Sequence, residues 1–153
     1  MNEKQARGEG RESRAERRWF RFERIEAWQL ARLFNRGVYS ATRKFPKEEM
    51  FGLMSQLRRA SVSISSNIAE GSGRNSDVDF AHFLEIAYGS LMEVVSQLFC
   101  ALDEAYITEI KFNELAAQAN ILAGKITGLT KSLGRKPRIS QPSTLVVRPS
   151  TSP

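Results

Sequence analysis

The sequence predicts an all-α fold, an up-down antiparallel four-helix bundle, and three observations carry that prediction. Apolar residues recur three and four apart along four successive segments, the breaks between segments carry helix stop and start signals, and these breaks are short. Short connections make neighbouring helices antiparallel. At 153 residues and 41% hydrophobic content the chain has material for one domain with a core and too little for two comfortable ones.

The first helix is expected from about Glu26 to Lys44, on the stripe Leu30, Phe34, Val38, Ala41 and Phe45. "FPKEE" then restarts the chain. Pro46 suits a first helical position, where its missing N–H would be unbonded anyway, and Glu48 and Glu49 meet the positive end of the helix dipole. The second helix continues through "RRASVSISSNIAEGSGR", Arg58 to Arg74. Val62, Ile64 and the intervening serines alternate there as in a strand, but the stripe Met54, Leu57, Ser61, Ile64 and Ile68 overrules that alternation. The serines read as a packing choice, because small side chains let a neighbouring helix come close and their hydroxyls bond back to the preceding turn.

Gly71 and Gly73 are read as the end of the second helix, and Ser76 with Asp79 resembles a capping box. The third helix is expected over about Asp77 to Tyr106, with Phe80, Leu84, Ala87, Leu91, Val94, Leu98 and Ala101 on one face. The fourth starts near Thr108, an N-cap, and carries Phe112, Leu115, Ala119, Leu122, Ile126, Leu129 and Leu133, with Gly134 as its stop. The bundle therefore occupies 22–133, between a charged, flexible extension over 1–21 and a Pro/Ser-rich, disordered basic tail over 134–153.

Charge is concentrated outside the bundle. Residues 1–24 hold eight Lys/Arg and five Glu, 134–153 hold four Lys/Arg and no acid, and 25–133 hold eleven basic against twelve acidic groups, which together give the net +6. The body is thus near neutral and is no phosphate cradle by charge alone; the basic ends serve solubility, or bind RNA or DNA weakly and in a salt-dependent way. One cysteine, Cys100, cannot form an internal disulfide, "MNEKQARGEG" has no apolar signal core, and no run approaches about 18 uncharged apolar residues. A cytoplasmic protein with no membrane role is the expectation.

The third helix carries a second apolar stripe, Tyr88, Met92, Val95, Phe99 and Tyr106, about 100° from its core face on a helical wheel. Two readings stand. A central helix buries a wide arc within its own bundle, or the stripe is a subunit interface, which Trp28 and Tyr39 on the first helix would join. The second helix carries a polar stripe, Gln56, Arg59, Ser63, Asn67 and Glu70, with Arg74 in register. It is either a solvated face holding a Glu70–Arg74 pair or a surface whose guanidinium, small hydrogen-bonding residues and carboxylate bind RNA, a peptide or another subunit.

Catalytic constellations are missing from the sequence. His82 stands three residues before Glu85, but a di-iron bundle needs four carboxylates and two histidines. Cys100 lies in "LFCAL", where burial would leave it inert, and "GSGR" follows a helix and lacks the strand that a phosphate-binding turn follows. Neither an enzyme nor a metal or cofactor site is expected.

"FPKEEMFGLMSQLRRASVSISSNIAEGSGRNS" followed by "FLEIAYGSLMEVVSQL" resembles the four-helix-bundle proteins encoded in bacterial 23S rRNA intervening sequences, which are similar in fold to accessory proteins of diversity-generating retroelements. The likeness covers about Phe22 to Leu133 and rests on Phe45, Pro46, Arg59, Ser63, Asn67, Ile68, Ala69, Glu70, Gly71, Arg74, Gly89, Ser90 and Glu93. It departs from the family pattern at Ser65, Glu85 and Val95. The resemblance implies a ring-shaped homo-oligomer, typically a pentamer, without catalytic activity, and for the retroelement relatives binding to RNA and to a reverse transcriptase. An oligomeric RNA-associated scaffold is one functional expectation, with RNA, a ribonucleoprotein or a reverse transcriptase as partner. A protein-interaction adaptor with no nucleic-acid role is the other.

Overall fold

The computed structural model describes residues 20–134, and the expectations for 1–19 and 135–153 lie outside it. The described residues form four α-helices and no strand: α1 (Glu26–Thr42), α2 (Leu53–Ser72), α3 (Asp77–Asp103) and α4 (Glu109–Ser132). Two 3-10 turns precede α1 and α2, at Arg21–Arg24 and Lys47–Phe51. α1 packs on α2, α2 on α3, α3 on α4, and α4 returns to α1, so α1/α3 and α2/α4 are the diagonal pairs.

The core contains the predicted stripes and adds Tyr88, Ile107 and several alanines. Phe34, Val38, Leu57, Ile64, Ile68, Leu84, Leu91, Leu98, Phe112, Leu115, Leu122 and Ile126 are fully buried, and Leu30, Leu129 and Leu133 pack half-buried on the edge. Ser61 is as buried as its apolar neighbours because its hydroxyl donates to Asn35 Oδ1 at 2.6 Å across α1/α2. Burial of a hydroxyl is tolerated when it is bonded in this way.

Four boundaries depart from the sequence reading, each for a local reason. α1 stops at Thr42, whose hydroxyl lies 3.2 Å from the Tyr39 carbonyl, as donor to it, and accepts from Arg58 Nε at 2.9 Å. Pro46 opens a 3-10 turn rather than the second α-helix. α2 begins at Leu53 after Gly52, and Glu49 Oε2 accepts from the Leu53 N–H at 2.8 Å, so the acidic residue meets the helix start from the turn before it. α3 ends at Asp103, and the chain turns through Ala105 at φ 56, a left-handed conformation that a non-glycine residue adopts at some cost. Gly71 does not stop α2: it is buried inside the helix, and a Cβ there would lie 2.7 Å from both Phe80 Cδ2 and Phe83 Cβ of α3. Its glycine is demanded by close approach of two helices.

The predicted caps of α3 and α4 are present. Ser76 Oγ accepts from the Asp79 N–H at 3.1 Å, and Thr108 Oγ1 accepts from the Lys111 N–H at 3.2 Å. Gly134, at φ 76, follows the end of α4 in the left-handed conformation that glycine adopts without penalty. By length and composition α3 also passes for a membrane span, with a mean hydropathy of 1.2, against the expectation that no segment comes close; its apolarity comes from carrying the core face and much of the second stripe on one helix.

Candidate functional site

The polar stripe of α2 lies along its seam with α3, and α3 supplies partners at a seven-residue interval. Gln97 Nε2 lies 3.4 Å from Gln56 Oε1 and donates to Glu93 Oε1 at 3.1 Å. Ser63 Oγ and Ser90 Oγ are 2.9 Å apart, and Asn67 Nδ2 donates to the Ser63 carbonyl at 2.8 Å and to its hydroxyl at 3.0 Å. Arg74 Nη2 donates to Glu70 Oε1 at 2.7 Å while its guanidinium lies 4.6 Å from the centre of the Phe83 ring.

Most of the stripe is therefore committed within the chain. Ser63 and Asn67 use their hydrogen-bonding groups on each other and on Ser90, and Arg74 is neutralised by Glu70. Arg59 is exposed and has no acid within salt-bridge distance among the described residues. Arg59 and Arg74 are matched in number by Glu70 and Glu93, so this seam offers no net positive charge to a phosphate backbone. Phe83, Ser90 and Gln97 are the partners that the stripe alone did not show. Their signal is their own spacing of seven on α3, in step with Gln56, Ser63 and Glu70 on α2.

The residues read as a second stripe do not gather on one exposed surface. Tyr88 is buried in the subunit core, and burial raises its pKa above the ordinary 10.0. Met92 and Val95 are half-buried against that core, and Phe99 is exposed at its rim with its ring 4.7 Å from that of Phe112 on α4. Tyr106 packs on Phe45 at 5.4 Å, and its hydroxyl donates to Glu49 Oε1 at 3.3 Å. Burial and then the Glu49 carboxylate raise the Tyr106 pKa. Trp28 lies between Phe22, 4.8 Å away, and the Arg32 guanidinium at 4.9 Å, and Tyr39 lies under Arg58 at 4.9 Å. Trp28, Tyr39 and Tyr106 thus each have a partner in their own chain.

Cys100 departs from its expected burial. It is exposed, because the apolar residues around it, Leu98 and Ala101, take the core face of the same helix and Cys100 lies outside that face. His82 is exposed, and the described residues hold no group of three or more His, Cys, Asp or Glu that could hold a metal ion.

The fold is matched by known proteins. The family described as 23S rRNA-intervening sequence protein matches residues 23–128, from the turn before α1 to the last turns of α4. The chain belongs to that family. Among solved structures it is similar to a protein of unknown function from the S23 ribosomal protein family of Bacteroides thetaiotaomicron, with a TM-score of 0.64 and 20% identity, over 69% of this chain and 98% of that one. At that identity the likeness speaks for the fold of this 23S rRNA-intervening sequence family member. No curated protein matches the chain.

Proposed function

We propose that the chain is a non-catalytic, homo-oligomeric four-helix scaffold, cytoplasmic and without a membrane role, that associates with RNA. The observation that carries the RNA reading is where the charge is attached. Residues 1–24 and 134–153 carry twelve Lys/Arg and five Glu between them, while 25–133 is near neutral. Both basic segments join the body at the same end of the bundle, where α1 starts and α4 finishes. The start of α1 and the end of α4 share a depression lined by Arg24, Ile25, Gly124 and Gly128, and Lys125 bridges Glu26 at 2.9 Å. Two basic segments leaving one end of a bundle raise the local density of cations there, which favours a polyanion over a discrete anionic ligand. The family's description, naming an rRNA intervening sequence, points the same way.

The bundle is proposed to be up-down and antiparallel, and the seam pairs Gln56–Gln97, Ser63–Ser90 and Arg74–Phe83 support this, since numbers rise on α2 as they fall on α3. Exposed Phe99, with Met92 and Val95 behind it, supports association of subunits; the family resemblance adds a ring, a pentamer, and a ribonucleoprotein or reverse transcriptase as partner.

The test is a salt titration of a fluorescent RNA with the full chain and with a form trimmed to 20–134. Binding by the full chain that weakens steeply with salt and is lost on trimming supports the reading. Binding that survives trimming moves the site to Arg59, Asn67 and Arg74. No binding by either form at low salt removes RNA and leaves a protein-interaction adaptor, the reading that the near-neutral body favours.

A further inference from the structure

Charge is unevenly distributed around the bundle. α1 exposes Arg32 and Arg36, with Arg43 at its C-terminal cap, and its one acid, Glu26, is bridged to Lys125 at 2.9 Å. α3 has the opposite sign: it carries Asp77, Asp79, Glu85, Glu93 and Asp103 and neither Lys nor Arg. Among the described residues, none of Arg32, Arg36, Arg43, Glu85, Glu93 and Asp103 has an opposite charge within 4.0 Å.

Each row of charge is accompanied by exposed apolar side chains. Leu33 and Ile121, 56% and 57% exposed, flank the arginines across α1/α4, beside an open depression of about 780 Å³ that Gly37 and Gln118 also line. Ile86 and Phe99, each 41% exposed, accompany the acids on α3. α1 and α3 are diagonal in the bundle, each neighbouring α2 and α4. The two faces therefore lie on opposite flanks of one subunit, where they cannot meet within the chain.

We infer that the Arg32–Arg36 face of α1, with Leu33 and Ile121, receives the Glu85–Glu93 face of α3, with Ile86 and Phe99, from a second copy of this chain. The inference rests on the homo-oligomer reading and supplies its contact. Opposite charges at the margin of an apolar contact fix register and disfavour the pairing of two like faces, which would set arginine against arginine or acid against acid. A contact between two different surfaces is head to tail: every subunit both gives and receives, and the series closes into a ring where the rotation permits.

Charge reversal tests the pairing on the full chain. One variant carries Arg32→Glu and Arg36→Glu, the other Glu85→Lys and Glu93→Lys, and mass is read by light scattering with circular dichroism as the folding control. Each variant alone is expected to fall to subunit mass while staying helical, because its two faces then repel. Mixed in equal amounts the variants are expected to associate above subunit mass, since each reversed face finds a complement on the other variant, although alternating variants cannot close a ring of five, and one chain carrying all four changes is expected to regain wild-type mass. Variants that stay fully associated, or a mixture that stays monomeric, would overturn the pairing while leaving a homo-oligomer standing. A monomeric wild type removes the homo-oligomer reading and the pairing with it. If a variant loses its helical signal, the wild type decides: its mass should drop between about 0.05 M and about 1 M salt, as surface charge pairs are screened, and a salt-independent mass overturns the pairing.

Discussion

The α2/α3 seam and the α1/α4 seam are built from the same kind of helix and finished in opposite ways. Along α2/α3, Gly71 admits Phe80 and Phe83, Ser63 meets Ser90, and Arg74 is taken up by Glu70 and Phe83. Along α1/α4 the close approach is Gly37 over the Leu115 side chain, the ion pair is Lys125–Glu26 at the surface, and Leu33 and Ile121 stay in solvent beside open depressions. Small hydrogen-bonding residues make a seam that is complete within the subunit, whereas branched apolar residues around a glycine leave surface that a second molecule can complete.

The sharpest contrast is between the two glycines. Gly71→Ala sets a methyl against the Phe80 ring and the Phe83 Cβ, groups that neighbouring helix turns hold in place, and should cost about 1–3 kcal/mol in chemical denaturation. Gly37→Ala meets the end of the flexible Leu115 side chain at 2.8 Å, and should cost less. Equal costs would mean that the two seams are equally tight.

Next in size is the hydroxyl pair. Ser63→Ala leaves Ser90 without its partner and Asn67 without one acceptor, for a loss of about 0.5–1.5 kcal/mol. Combined with Ser90→Ala the losses should be less than additive, and strict additivity in a double-mutant cycle would show that the two hydroxyls do not act on each other. On the other seam Ile121→Asn should change subunit stability by no more than about 0.5 kcal/mol, since the side chain is largely in solvent, while lowering the associated mass.

These contrasts also show what a single helix's pattern can tell. Every core stripe was legible, because periodicity registers which face of a helix is buried. The spacing between two helices has no such signature, and Gly71 was therefore read as a helix stop, although its neighbours Phe80 and Phe83 lie beyond the next turn. Pro46 fixes its own φ and lacks an N–H in a 3-10 turn as in an α-helix, so its signal could not separate the two. The polar stripe was legible as a row, yet its partners Ser90 and Gln97 sit on another helix, and that placed Ser63 and Asn67 in a seam when the row alone left them open to a ligand.

The smallest expected effect is with pH. The folded-state pKa values of Tyr88 and Tyr106 are raised above the ordinary 10.0, so their contribution to stability is full below that value and is lost as pH rises through the higher folded values. Denaturation midpoints should fall on the alkaline side of pH 10, and Tyr106→Phe should flatten part of that fall.

Glu49 touches two turns at once: Oε2 accepts from the first amide of α2, and Oε1 accepts from Tyr106 in the turn between α3 and α4. The two turns at that end of the bundle are therefore held by one carboxylate, and an opening that releases one loosens the other. In native-state hydrogen exchange the Leu53 amide and those of residues 104–107 should then behave as one cooperative unit, sharing an opening free energy, and Glu49→Gln should lower protection in both turns together.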